Sequence, residues 1–94
     1  MSALIQLHPE DNVVVCCRDV IAGETIAVGG VTITCVEAVE LGHKLALTAL
    51  AAGDKVIKYG APIGSMTAAA SAGSWVHMHN MKSDYIAAHT RDAT

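Results

Sequence analysis

The imidazoles are the side chains of this sequence with chemistry closest to hand. In Trp75-Val76-His77-Met78-His79-Asn80, the two-residue period of a strand predicts Trp75, His77 and His79 on one face and Val76 and Met78 on the other. Two neutral imidazoles side by side can ligate a divalent metal. With an ordinary pKa of about 6.5 they can also pass a proton near neutrality. An open catalytic metal centre normally needs a further His or carboxylate and a free position, and nothing local supplies one. The plainer alternative is a histidine pair on a half-exposed strand or at a subunit interface. Asn80 reads first as a strand terminator and second as a donor to a bound carboxylate or hydroxyl.

Two loop-borne clusters add cationic groups on pliant backbone: Gly42-His43-Lys44 and Lys58-Tyr59-Gly60-Ala61-Pro62-Ile63-Gly64. Such loops can approach an anion closely, although a lone lysine at a strand end is more often simply solvated. His8-Pro9-Glu10-Asp11-Asn12 reads first as a turn, because proline fixes φ and Asp and Asn bond their own following backbone. Polyol binding by Asp11 and Asn12 is the second reading. There is no Gly-x-Ser-x-Gly elbow, phosphate loop, His-Glu-x-x-His pair or dinucleotide fingerprint. The cysteines Cys16, Cys17 and Cys35 lack the spacing of a disulfide framework or a metal knuckle, and they read as small core residues in a reducing compartment.

These groups must be positioned by short strands. Ala3 to His8, Asn12 to Val20, Thr25 to Val28 and Val31 to Val39 are β-branched runs bounded by turn residues, and Gly29-Gly30 suits a tight hairpin. Lys44 to Leu50, Asp54 to Tyr59 and Ser74 to His79 continue the pattern, with a helical turn expected at Met66 to Ser71. Ala-Gly recurs before a strand in Ile21 to Ile26, Ala51 to Val56 and Ser71 to Val76, which suggests a turn with positive φ at each glycine. No crossover helices are available for parallel pairing, so the expected architecture is mainly β and antiparallel. Residues 83–94 read as a polar tail or docking arm.

The chain has 94 residues, 52% of them hydrophobic, and a net charge of −3. A chain this small buries too little surface for a deep private cleft. Its lysines and arginines stand singly, which excludes a phosphate-tracking stripe and hence nucleic acid as a partner. Its apolar runs are broken too often for a membrane span, and the amino terminus carries no basic and apolar leader pattern, so a cytoplasmic protein is expected.

The chain resembles the amino-terminal domain of the altronate and galactarate dehydratases over roughly residues 5–82. The resemblance rests on the order and spacing of His8-Pro9-x-Asp11-Asn12-Val13, Asp19-Val20-x-Ala22-Gly23, Gly42-His43-Lys44-x-Ala46-Leu47, Gly53-x-x-Val56-Ile57-Lys58-Tyr59-Gly60-x-Pro62-Ile63-Gly64 and Gly73-x-Trp75-Val76-His77-x-His79-Asn80. It implies a β-clip (SAF-like) fold over 1–82, a bent hairpin closed on itself with at most one short helix. It also implies a role as the small subunit or module of a carbon–oxygen lyase that is not active alone. In that chemistry a sugar acid loses water to give a 2-keto-3-deoxy acid, usually with a divalent metal (Fe, Mn or Mg) held mainly by a larger catalytic subunit. By the same resemblance His77, His79 and His43 are the candidate catalytic groups, and His77 and His79 the candidate metal ligands. Lys44, Lys58, Tyr59 and Asn80 are the candidate substrate contacts, at a mouth shared with the large partner in an oligomer. The small subunit of a sulfolactate sulfo-lyase looks like the same module and is the second expectation. A non-catalytic binding or assembly module is the third.

Overall fold

The computed structural model describes residues 3–84 and is built of antiparallel strands throughout. These are β1 (Leu4–Ile5), β2 (Val13–Cys16), β3 (Thr25–Val28), β4 (Val31–Thr34), β5 (Lys44–Ala46), β6 (Lys55–Lys58), β7 (Ala61–Met66), β8 (Trp75–Val76) and β9 (Met81–Lys82). A four-stranded sheet runs β1-β2-β5-β8, β3 and β4 form a hairpin, and β6 and β7 form a second hairpin flanked by β9. The architecture is the mainly β, β-clip type expected, and among the described residues no barrel closes.

Its organisation is a duplication. The bridge Val20↔Val39 in the first half matches Leu50↔Ala70 in the second. Gly23 donates to Cys35 O as Gly53 donates to Met66 O, and Gly42 donates to Cys16 O as Gly73 donates to Ala46 O. The three Ala-Gly turns of the sequence are therefore real, and Leu41-Gly42 is a fourth that the Ala-Gly pattern hides; all four glycines have positive φ, between 86° and 91°. Each half sends out one two-residue hairpin, at Gly29-Gly30 and at Tyr59-Gly60, with positive φ at both turn residues as the right-handed twist of the strands demands.

The central sheet is buried on both faces, which short apolar strands without clean alternation allow. Val14 and Leu45 face a core with Leu4, Cys16, Val20, Ile26, Ile33, Cys35 and Val39. Val13, Ala46 and Val76 face a second core with Leu50, Val56, Met66 and Ala70. Cys16 and Cys35 are buried and Cys17 is exposed, all three as free thiols. Burial pushes the Cys16 thiol up to about 11, so it is protonated and inert at neutral pH.

Three local expectations are corrected. Met66 to Ser71 is not a helical turn: Met66 ends β7, the chain bends at Thr67 and Ala68, and Leu50 and Ala70 exchange both backbone hydrogen bonds at 2.8 Å. The strand expected to run to His79 stops at Val76, and residues 77–80 form a turn that leaves Met78 82% exposed. The Lys44 to Leu50 strand is likewise cut to Lys44–Ala46 by a bend before the Leu50 bridge.

The His8 to Asn12 stretch is a scaffold. The Asp11 carboxylate, only 4% exposed, accepts hydrogen bonds from Tyr59 N (3.1 Å) and Gly60 N (2.8 Å) at the tip of the second hairpin. Tyr59 has φ 57°, a left-handed conformation that a side chain adopts at a cost of about 1–2 kcal/mol, and these bonds help to hold it there. Asn12 accepts from Ile57 N at 2.8 Å and donates to Lys55 O at 2.8 Å, fixing β6 against the start of β2. Asp11→Ala is expected to cost about 2–3 kcal/mol in urea denaturation, because two backbone donors lose a charged acceptor. Asp11→Asn, which keeps one acceptor, should cost less, and equal losses would show that hydrogen bonding is not what Asp11 contributes.

At the far end of the described residues, Asp84 pairs with Lys55 Nζ at 2.7 Å and accepts from Ser65 Oγ at 3.0 Å. The remainder of the expected tail or docking arm, residues 85–94, lies outside the described residues. Among the described residues, no helix is long and apolar enough to cross a membrane.

Candidate functional site

Strand register brings the histidines together. β5 and β8 pair Leu45 with Trp75 and Lys44 with Val76, so the next pair along the ladder is His43 with His77. Alternation then puts His43, Trp75 and His77 on one face. The rings meet accordingly: His43 and His77 lie 5.2 Å apart between centroids at 68°, and His43 and Trp75 lie 5.5 Å apart at 74°. Trp75 stacks on His77 at 5.3 Å and 10°, while His79 lies against Trp75 at 4.8 Å. The three candidate catalytic histidines thus form one cluster around the indole.

His79 reaches this cluster by a different route from the one its sequence predicts. It sits in the turn after β8, and that turn is closed by Asn80. His77 N donates to Asn80 Oδ1 at 3.0 Å, and Asn80 Nδ2 donates to Trp75 O at 2.9 Å. Asn80 is 8% exposed, so its terminator role is the one visible, with its amide engaged in aiming the two histidines. The indole Nε1 donates to His43 Nδ1 at 3.3 Å, and Trp75 N donates to Glu37 Oε2 at 3.3 Å. Trp75 and Glu37 are therefore parts of the site that the histidine pattern alone did not single out. For Glu37 no sequence signal exists, whereas Trp75 was marked by sharing a face with His77 and His79. A cleft of about 100 Å³ lined by Ala38, Val39, Glu40, His43 and Trp75 opens beside the rings.

The lysines form an adjoining group. Alternation turns Lys44 to the opposite face of β5 from His43; it feels the charge of Lys58, and its own charge is felt by His77. The Lys58 ammonium lies 5.4 Å from the centroid of the Tyr59 ring, at the exposed tip of the hairpin. The ion pairs among the described residues are Arg18 with Glu24 and Lys55 with Asp84, so neither Lys44 nor Lys58 has a carboxylate counterion there. Partial burial, and then the Lys58 charge, pull the Lys44 pKa below its usual value. Partial desolvation first, followed by the charges of Lys44, His43 and His79, pulls His77 below the ordinary imidazole value. His77 is accordingly neutral at pH 7 and able to accept a proton. Removing the lysine charge with Lys44→Met is expected to raise the His77 titration midpoint, read from its ring resonances as pH is varied. An unchanged midpoint would show that Lys44 does not act on that ring.

Among the described residues, no group of three or more His, Cys, Asp or Glu side chains is arranged to hold a metal ion. His77 and His79 supply at most two ligands, and their neighbours are an indole and a third imidazole whose Nδ1 accepts from that indole. The residues present do not by themselves fit a metal centre.

Residues 2–84 match the family model described as the altronate/galactarate dehydratase SAF domain. The chain is 37% identical over 84 residues, 89% of its length, to an altronate dehydratase of Bacillus subtilis (strain 168), and the match covers 17% of that protein. It is 44% identical over 80 residues, 85% of its length, to an altronate dehydratase of Escherichia coli (strain K12), covering 16% of it. It is also 54% identical over 44 residues, 47% of its length, to a (2R)-sulfolactate sulfo-lyase subunit alpha of Paracoccus pantotrophus, covering 66% of that subunit. The chain thus spans about a sixth of the altronate dehydratases it matches. With the family model matched across nearly all of its length and the expected architecture in place, the chain belongs to the altronate/galactarate dehydratase SAF domain family.

Proposed function

We infer that this chain is the SAF module of a sugar-acid lyase and works against a larger catalytic body, eliminating water from an aldonate or aldarate to give a 2-keto-3-deoxy acid. The observation that carries the reading is the three-imidazole cluster around Trp75, with the Lys44 charge acting on His77 and neither Lys44 nor Lys58 paired to a carboxylate among the described residues. In β-elimination a base removes the proton next to the substrate carboxylate, negative charge spreads onto that carboxylate, and a proton must reach the departing hydroxyl. Lys44 and Lys58 supply fixed positive charge for the carboxylate, with Tyr59 beside Lys58 as a further contact. His77, neutral at pH 7, and His79, exposed at the rim, move the protons. Asn80 holds the turn that aims them. The divalent metal, whether Fe, Mn or Mg, would supply Lewis-acid stabilisation of the enediolate, and we assign it to the larger body. The complex is cytoplasmic and oligomeric in this reading.

A second reading, sulfite elimination from sulfolactate, is favoured by one specific observation: the match covers 66% of a sulfolactate sulfo-lyase subunit but 16–17% of the dehydratases. Both reactions use the same proton abstraction, and only the leaving group differs. The test is a pull-down from native extract with the tagged chain, followed by assays on aldonates, aldarates and sulfolactate. A large partner and 2-keto acid formation from a sugar acid would support the dehydratase. Sulfite release from sulfolactate would select the second reading. A chain that stays alone and inactive yet binds a sugar acid would make it a binding module and defeat both.

A further inference from the structure

We propose that Trp75 is a positioning residue that fixes the tautomer of His43 with its proton on Nε2, so that His43 serves as a hydrogen-bond donor to substrate oxygen and not as a proton acceptor. The assignment of a role toward substrate rests on the function proposed above; the tautomer itself does not.

An indole N–H is a donor only, and a neutral imidazole carries one N–H and one bare nitrogen. Trp75 Nε1 donates to His43 Nδ1 at 3.3 Å, so the bare nitrogen is Nδ1 and the proton sits on Nε2. An imidazolium would turn Nδ1 into a second donor facing the first, and the bond would be lost. The indole is not free to swing away. Its backbone is paired with Leu45, its N donates to Glu37, and its carbonyl accepts from Asn80. Its ring is sandwiched by contacts to His43, His77 and His79.

The other two histidines differ in this respect. Among the described residues, neither the His77 ring nor the His79 ring has a hydrogen-bond partner that would fix its tautomer. The cluster is therefore divided: one imidazole held as a donor for charge developing on oxygen, and two left to take and give protons. A donor already oriented before charge develops is the form of electrostatic stabilisation that contributes most to such reactions.

The test reads the tautomer directly. Long-range proton–nitrogen correlation spectra of the isotopically labelled chain at about pH 8.5, two units above the ordinary imidazole value, distinguish the two neutral forms. The expected result is one form at His43, protonated on Nε2, and in Trp75→Phe a rise of the Nδ1-protonated form to its population in free histidine in the same buffer. A proton on Nδ1 in the parent chain, or an unchanged population in the Phe variant, would overturn the proposal. Should Trp75→Phe not fold, His43→Leu gives the reciprocal reading. Trp75 is the chain's single tryptophan, so its indole N–H is a unique reporter. Its exchange with water should quicken about tenfold on loss of the bond; an unchanged rate would show that the bond does not exist. In the reconstituted complex, His43→Gln keeps a donor at the Nε2 position whereas His43→Glu replaces it with an acceptor. Gln is expected to retain about tenfold or more of the turnover left to Glu, and the reverse order would make His43 a base. If no catalytic complex can be recovered, the proposed function fails while the tautomer measurement still stands.

Discussion

Replacing His77 and His79 together by alanine is expected to lower turnover of the reconstituted complex about 10²–10⁴-fold, the usual contribution of positioned general acids and bases. Assembly with the larger partner should change far less. The reason for the separation lies in what the two side chains touch. His79 is exposed and His77 half-buried, so neither fills the core. The turn that carries them is held by Asn80 and by Asn80 N and Met81 N, both of which donate to His77 O, and alanine leaves all of these in place. What the double variant loses on folding is ring contact with Trp75, about 0.5–1.5 kcal/mol per pair. Partner capture and turnover measured on the same preparation distinguish the two effects. Full turnover would remove both histidines from the mechanism, and a parallel loss of capture and turnover would make them interface residues.

The single variants refine this. His77 carries the depressed pKa and stacks within the cluster, whereas His79 lies at the rim. If His77 accepts the proton beside the carboxylate, the acid limb of the pH–rate profile belongs to it. A group must be neutral to accept a proton, so activity is present above its pKa and is lost as pH falls through it. Because that pKa lies below the ordinary imidazole value, the acid limb should fall on the acid side of about 6.5. Lys44→Met should move the limb upward, in step with the ring resonance.

The fold was legible where a residue type admits one reading. Gly29-Gly30 between β-branched runs marked a hairpin, and the Ala-Gly turns marked strand entries, because positive φ leaves little choice of residue. The His-x-His pair was legible as a cluster, but for a reason that does not apply to both histidines. Alternation holds as far as His77, and beyond it the turn closed by Asn80 delivers His79 to the same place. That closure depends on a side-chain amide reaching back five residues to Trp75 O, which no periodicity encodes. The pairing of His43 with His77 is encoded only in the register of β5 on β8, a contact between distant parts of the chain. Met66 to Ser71 was misread because alanine and methionine favour helix locally, whereas two hydrogen bonds to Leu50 decide the outcome. The turn between His8 and Asn12 was legible, but Asp11 and Asn12 do not bond their own following backbone as expected; their side-chain partners in β6 and its hairpin lie 43 to 49 residues away and could be seen only in the structure.

Gly73→Ala is expected to be the most damaging single methyl that can be added to this chain. Gly73 has φ +88°, which an alanine adopts at a cost of about 1–2 kcal/mol, and its added Cβ would lie 2.0 Å from Thr34 O. That neighbour is backbone and cannot rotate aside. Relief requires Gly73 to move, which breaks the bond from Gly73 N to Ala46 O and the one from Val36 N to Gly73 O. With about 1 kcal/mol for each bond, the total loss is about 3–4 kcal/mol, a large part of the roughly 5–10 kcal/mol that stabilises a domain of this size. Gly53→Ala is the matched control. Gly53 occupies another of the four glycine turns, with φ +91°, and nothing lies within 4 Å of an added Cβ. It incurs the conformational cost alone, so Gly73→Ala should lose at least about 2 kcal/mol more than Gly53→Ala in urea denaturation. Equal losses would mean that the approach to Thr34 is absorbed without strain. The consequence reaches the site, because Gly73 is the entry to β8. Displacing it shifts Trp75 and His77 relative to His43, so the ring contacts should be lost before the molecule unfolds, visible as a change in Trp75 fluorescence at denaturant concentrations below the transition.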